Sequence, residues 1–194
     1  QDAICSTNPR KTDTFSDWNA LVRIVAALQP AVLLLQETGD NSGNGTGSGV
    51  DSASNLLLTL EMFFSGGNDI FNGNAAVTSY VQLFTPDYNL PYRYVSTTSD
   101  NYNRNIILSR YPFADLNGDG GDRFSNFVLT PDAWQSGGNG GIRGFMWTEI
   151  DLPDEIYAGD LVVGNAHLKS GGDSSDYNER LAAAKNISYF LRYY

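Results

Sequence analysis

The stretch from Phe15 to Thr38, FSDWNALVRIVAALQPAVLLLQET, constrains the fold more than any other part of the chain. Ser16 can cap a helix in which Trp18, Leu21, Val22, Ile24, Val25 and Leu28 recur at helical spacing and line one side. Pro30 stops that helix, because it lacks the N–H and its ring clashes with the preceding turn. The apolar run from Ala31 to Gln36 then has the length and composition of a buried strand. With DAICSTN as a short strand candidate ahead of it, the order strand, helix, strand predicts a layered α/β architecture.

Further along, GDNSGNGTGSGVDSASN (39–55) and residues 114–141 read as long Gly/Asn-rich loops. Helical spacing returns at Leu56 to Phe64, and AAVTSYVQLF fits either a short helix or a strand. The runs YRYVSTT, NRNIILSRYPF, IRGFMWTEIDL and DLVVGNAHL have the aromatic and β-branched content of strands. A final helix is predicted over DYNERLAAAKNISYFLRYY, capped at Ser174 or Ser175, with Tyr177, Leu181, Ala184, Ile187 or Ser188, and Leu191 on its apolar face. There is no internal repeat, and 194 residues at 41 % apolar content suffice for one core, so residues 1–194 are read as a single domain.

The formal net charge of −10 argues against tight electrostatic binding to nucleic acid or anionic membrane. It does not exclude a nuclease, because a bound divalent cation inverts the local sign of a site. No apolar run approaches the ~20 residues that span a bilayer. A start at Gln1, a sequon at Asn44-Gly45-Thr46 and few lysines lead to the expectation of a processed, extracellular protein. Cys5 is alone and reads as a small hydrophobe.

Strand parity brings out a pattern in the polar residues. Leu161 and Val163 share a face with Asn165 and His167, Leu33 and Leu35 with Glu37, and Ile4 and Ser6 with Asn8. If these strands are neighbours running the same way, the polar groups converge at one rim of a sheet. Carboxylate and amide oxygens suit Mg²⁺, Mn²⁺ or Ca²⁺, and an imidazole suits proton transfer or a hydrogen bond to a phosphoryl oxygen. Such a constellation is one for metal-assisted hydrolysis. Each residue also has an ordinary reading, as the first solvated side chain after an apolar run or, for Asn8 before Pro9, as a turn.

Five segments, ICSTN, PAVLLLQET, NRNIILSRYPF, GIRGFMWTEIDLP and LVVGNAHLKSGGDSSDYNERLAAA, resemble the endonuclease/exonuclease/phosphatase superfamily in content and order. The resemblance implies a layered α/β sandwich of the deoxyribonuclease I-like type and a metal-dependent phosphodiester hydrolase, with a nucleic acid or small phosphoester as substrate. It implies a metal role (Mg or Mn) for Glu37 and Asn8, and a phosphate contact for His167 and Asn165. Arg110 and Arg143 match positions that are commonly basic in the family, and so are candidate phosphate-binding residues. The family's later Gly-Asp-x-Asn and Ser-Asp-His motifs do not occur here, nor does a second histidine. The expectation is therefore a partial domain, incomplete at its C-terminus, lacking half of the active site and completed by a continuation of the chain or by a second chain.

Other signals compete for attention. Asp115, Asn117 and Asp119 followed by Gly120 have the spacing that opens a calcium loop, although Asn126 stands where a glutamate would close it. Arg180 fits packing or ion pairing as well as it fits substrate binding, and the second sequon, Asn186-Ile187-Ser188, falls within the predicted last helix. An opposing functional expectation is an extracellular structural or interaction module that keeps the fold, glycosylated or calcium-binding, without the chemistry.

Overall fold

In the computed structural model the described residues are 17–39, 51–69, 73–96, 99, 103–115, 127–129 and 142–193. The expected first strand with Asn8, the sequon at Asn44, and Asn117 and Asp119 of the acidic loop lie outside them, while Asp115 is described and exposed.

The elements run α1 (Asp17–Leu28), β1 (Val32–Thr38), α2 (Ala53–Phe64), β2 (Gly67–Asp69), β3 (Ala75–Val77), β4 (Tyr92–Val95), β5 (Arg104–Ser109), β6 (Phe127–Leu129), β7 (Ile142–Ile150), β8 (Leu161–Leu168) and α3 (Ser174–Tyr193). Mixed helices and small antiparallel sheets make this an α/β fold. One sheet has the order β1-β5-β4 and a second β6-β7-β8, with β2 and β3 forming a separate hairpin. α1 ends as its sequence requires. Gln29 takes a left-handed conformation (φ 43°), its N–H bonds Val25 O at 2.8 Å, and Pro30 follows.

Alternation along the strands sends their apolar side chains into three layers. Leu33, Leu35, Val95, Ile106 and Leu108 meet Val22, Val25 and Ala26 of α1 and Leu56, Leu60, Phe63 and Phe64 of α2. The opposite face supplies Val32, Tyr94 and Ile107, which pack on Met146, Ile150 and Val163 of the second sheet. Beyond that sheet, Phe145, Trp147, Ala166 and Leu168 receive Ala183 and Ile187 of α3. Among the described residues the order is thus helices, sheet, sheet, helix.

Several expectations change. β1 and β8 are not neighbours in one sheet but members of two facing sheets, each antiparallel. The 39–55 loop gives way to helix at Ala53, because Ser52 Oγ caps it by accepting from Asn55 N at 3.1 Å. Within 114–141, residues Phe127–Leu129 pair with β7 as a strand. The ambiguous stretch at 75–84 is a short strand followed by turns.

α3 is capped one residue earlier than predicted. Asp173 O accepts from Tyr177 N, and Asp176 Oδ2 accepts in return from Asp173 N at 3.2 Å. Its orientation also differs. Tyr177, Leu181, Ala184 and Leu191 are exposed, whereas Ala183 is fully buried. Polar ties from the preceding turn fix that rotation: Lys169 Nζ lies 3.6 Å from Asp176 Oδ1, and Arg180 Nη1 donates to Lys169 O at 3.1 Å and to Gly171 O at 2.9 Å.

Candidate active site

The C-terminal ends of β1 and β8 meet across the gap between the two sheets. Glu37 Oε1 lies 3.4 Å from His167 Nε2, with the carboxylate side chain 50 % exposed and the imidazole 9 %. His167 is there by simple alternation, on the inward face that also carries Val163 and Asn165. Glu37 is not. By parity it belongs with Leu33 and Leu35, which face the helices.

A bulge moves it. Between the pairs Leu35↔Ile106 and Thr38↔Arg104, β1 advances three residues while β5 advances two, and Glu37 takes a left-handed conformation (φ 55°). The extra residue turns Glu37 away from the helix side and towards β8. β7 carries the same irregularity at the same end. Between Ile142↔Leu168 and Phe145↔Ala166 it too gains a residue, with Gly144 at φ 139°. The backbone of Arg143 lies in this second bulge, beside the strand that presents His167.

Three side-chain amides stitch the sheets together around this point. Asn165, 2 % exposed, donates through Nδ2 to Leu35 O at 2.8 Å and to Ile106 O at 3.0 Å. Gln36 Nε2 donates to Asn165 Oδ1 at 3.1 Å and to Ala166 O at 2.6 Å. Asn105 Nδ2 donates to Gly144 O at 3.1 Å. Asn165 therefore has both its donors engaged within the protein, and its Oδ1 accepts one bond.

The other predicted residues are distributed differently. Arg110 is not brought to the site: its N–H bonds Ala31 O at 2.8 Å and its guanidinium lies 5.7 Å from the Tyr88 ring centroid, at the far end of β1. Arg104 is closer in register but shares the helix-side face of Ile106 and Leu108. Its Nε donates to Asp51 O and its Nη1 to Ser96 O, and burial lowers its pKa against the opposing pull of Asp51. Arg180 serves the turn before α3 rather than the site.

Sequence reasoning missed Gln36 and Asn105. A signal for Gln36 was present, because alternation puts it on the face opposite Leu33 and Leu35. Asn105 likewise falls on the face of Ile107, which points into the gap between the sheets.

Among the described residues no three His, Cys, Asp or Glu side chains gather as a metal-ligating group. What stands at the rim is one solvent-open carboxylate beside one imidazole. That donor set fits a hard cation that keeps most of its water and takes one or two carboxylates, as Mg²⁺ does, and does not fit a closed cage of several protein ligands. No protein-family model, curated protein or solved structure matches the chain.

Proposed function

We propose that the chain carries one half of the active site of a metal-dependent phosphodiester hydrolase, on a layered α/β sandwich of the deoxyribonuclease I-like type. The observation that carries this reading is the approach of Glu37 to His167 across two sheets, achieved by a bulge that sets a non-glycine residue in a left-handed conformation. Bulges next to active sites re-aim side chains in this way. A bare ion pair at the surface would contribute little stability to offset that conformation.

In this reading Glu37 holds Mg²⁺ or Mn²⁺, with Asn8 implied as a second ligand by the resemblance. When bound, the cation supplies charge neutralisation at a phosphoryl oxygen. His167 is packed on its inner side and reaches the rim through Nε2, so its imidazole is oriented to donate to a phosphate oxygen or to carry a proton. Asn165, Gln36 and Asn105 keep the sheets closed behind it. In the family, groups that orient the attacking water belong to a Gly-Asp-x-Asn motif that does not occur in this sequence.

The test is calorimetry with Mn²⁺, and turnover of an activated phosphodiester, on wild type, Glu37→Gln and His167→Ala. Glu37→Gln should abolish the specific Mn²⁺ heat, and His167→Ala should abolish whatever turnover wild type shows while leaving that heat. A wild-type chain with no specific Mn²⁺ heat contradicts the reading. A second reading, an interaction module without chemistry, is favoured by the outward apolar stripe of Tyr177, Leu181 and Leu191 on α3. It predicts that same absence of specific heat.

A further inference from the structure

We infer that Gln36 and Asn165 are the positioning pair of this site, an amide clamp between the two sheets that fixes where the Glu37 carboxylate stands relative to His167. The inference rests on the hydrolase reading and names the part of the chain that builds its geometry.

The clamp joins the two strands immediately before the reacting ends. Leu35↔Ile106 is the last regular pair before the bulge, and Asn165 Nδ2 takes the carbonyl oxygens of both its members. Gln36 then closes the link by donating to Asn165 Oδ1 and Ala166 O. The residues one and two places before Glu37 are thereby tied to the residues one and two places before His167. On the other side of Glu37, Thr38 Oγ1 donates to Arg104 O at 2.7 Å. Glu37 is held between two fixed points, so its left-handed conformation is imposed from both sides.

The chemistry explains why both residues are amides. Asn165 must donate twice and accept once in a space with almost no access to water, which a carboxylate or an aliphatic side chain of that size cannot do. Groups that orient a ligand without touching the metal typically change metal affinity by ~10–100-fold when removed.

His167 is the only histidine in the chain, so its two carbon-bound ring protons are an unambiguous reporter in proton NMR. Gln36→Met keeps the length of the side chain and removes its two donated bonds; Asn165→Asp keeps the shape and removes both donors. In the metal-free full chain, Gln36→Met should move the His167 ring signals in the direction that Glu37→Gln moves them. On titration with Mn²⁺, Gln36→Met and Asn165→Asp should each weaken the midpoint for broadening of those signals about tenfold, while circular dichroism still shows a folded chain.

An unchanged Mn²⁺ midpoint with only a lower melting temperature overturns the inference and leaves the amides as stability devices. If Asn165→Asp does not fold, Gln36→Met decides alone. Should Mn²⁺ leave the wild-type ring signals sharp, the hydrolase reading falls. The positioning claim then stands or falls on the metal-free shifts: Gln36→Met matching Glu37→Gln supports it, and Gln36→Met matching wild type overturns it.

Discussion

Tyr94 shows what a single buried hydroxyl does between two sheets. It packs with Ile107, Phe113, Met146 and Ile150, and its hydroxyl has no hydrogen-bond partner among the described residues. An orphan hydroxyl carries its desolvation cost into the fold, so Tyr94→Phe should raise stability by about 1 kcal/mol in urea unfolding, and a loss of stability would contradict the packing described. Burial also raises the Tyr94 pKa, and it raises that of Tyr88 from 10.0 to about 12 against a smaller lowering by Arg110. From pH 10 upwards an unfolded chain releases these protons while the folded chain keeps them. Stability is therefore full below about pH 10 and falls as pH rises towards 12. Melting temperatures measured from pH 8 to pH 11.5 should fall less steeply in Tyr94→Phe than in wild type.

At the scale of elements, α3 is the most instructive case. Its 20 residues carry an apolar stripe at helical spacing, and the sequence alone directs that stripe inwards. The structure buries the neighbouring stripe because Asp176 and Arg180 are tied to the turn before the helix and because Ala183 is small enough to approach Phe145 and Trp147. Leu181→Lys should therefore change stability by no more than about 0.5 kcal/mol, whereas Ala183→Leu should cost about 1–3 kcal/mol by overpacking. The reverse order in thermal melting would mean that the helix is rotated from the position given. The same turn constrains Gly171, where a Cβ would run into the Asp176 carboxylate and the backbone has φ 114°. Gly171→Ala should thus cost more than about 1 kcal/mol and loosen the first turn of α3. The longer strands and the helices were legible because each is a local periodicity closed by a local signal, as at Pro30, whereas the short strand β6 falls in a stretch that reads as loop. The side that Glu37 faces was not, because parity holds only where register does, and a bulge built on a glutamate rather than a glycine leaves no mark in the sequence.

For the whole molecule, the central feature is that two sheets with different partners each carry a bulge at the same end, and that His167 and Glu37 meet there. The sequence placed these two residues at strand ends, and it named Asn165 as a companion. What it could not give was the fact that the strands face one another instead of lying side by side, because pairing partners are set by long-range packing of Ile107 on Met146 and not by any local pattern. The clamp that Asn165 makes was illegible for the same reason: its two donors are engaged across the gap only once β1 and β5 lie opposite β8. With a net charge of −10 the chain attracts divalent cations at many acidic positions, so a useful metal measurement has to report on one place. The most direct measurement is the proton NMR signal of the single His167 ring during a Mn²⁺ titration of wild type and Glu37→Gln. The account predicts that the ring signals of wild type broaden at the lowest Mn²⁺ concentrations and that those of Glu37→Gln stay sharp there. Broadening confined to other residues, or equal in the two proteins, would contradict it.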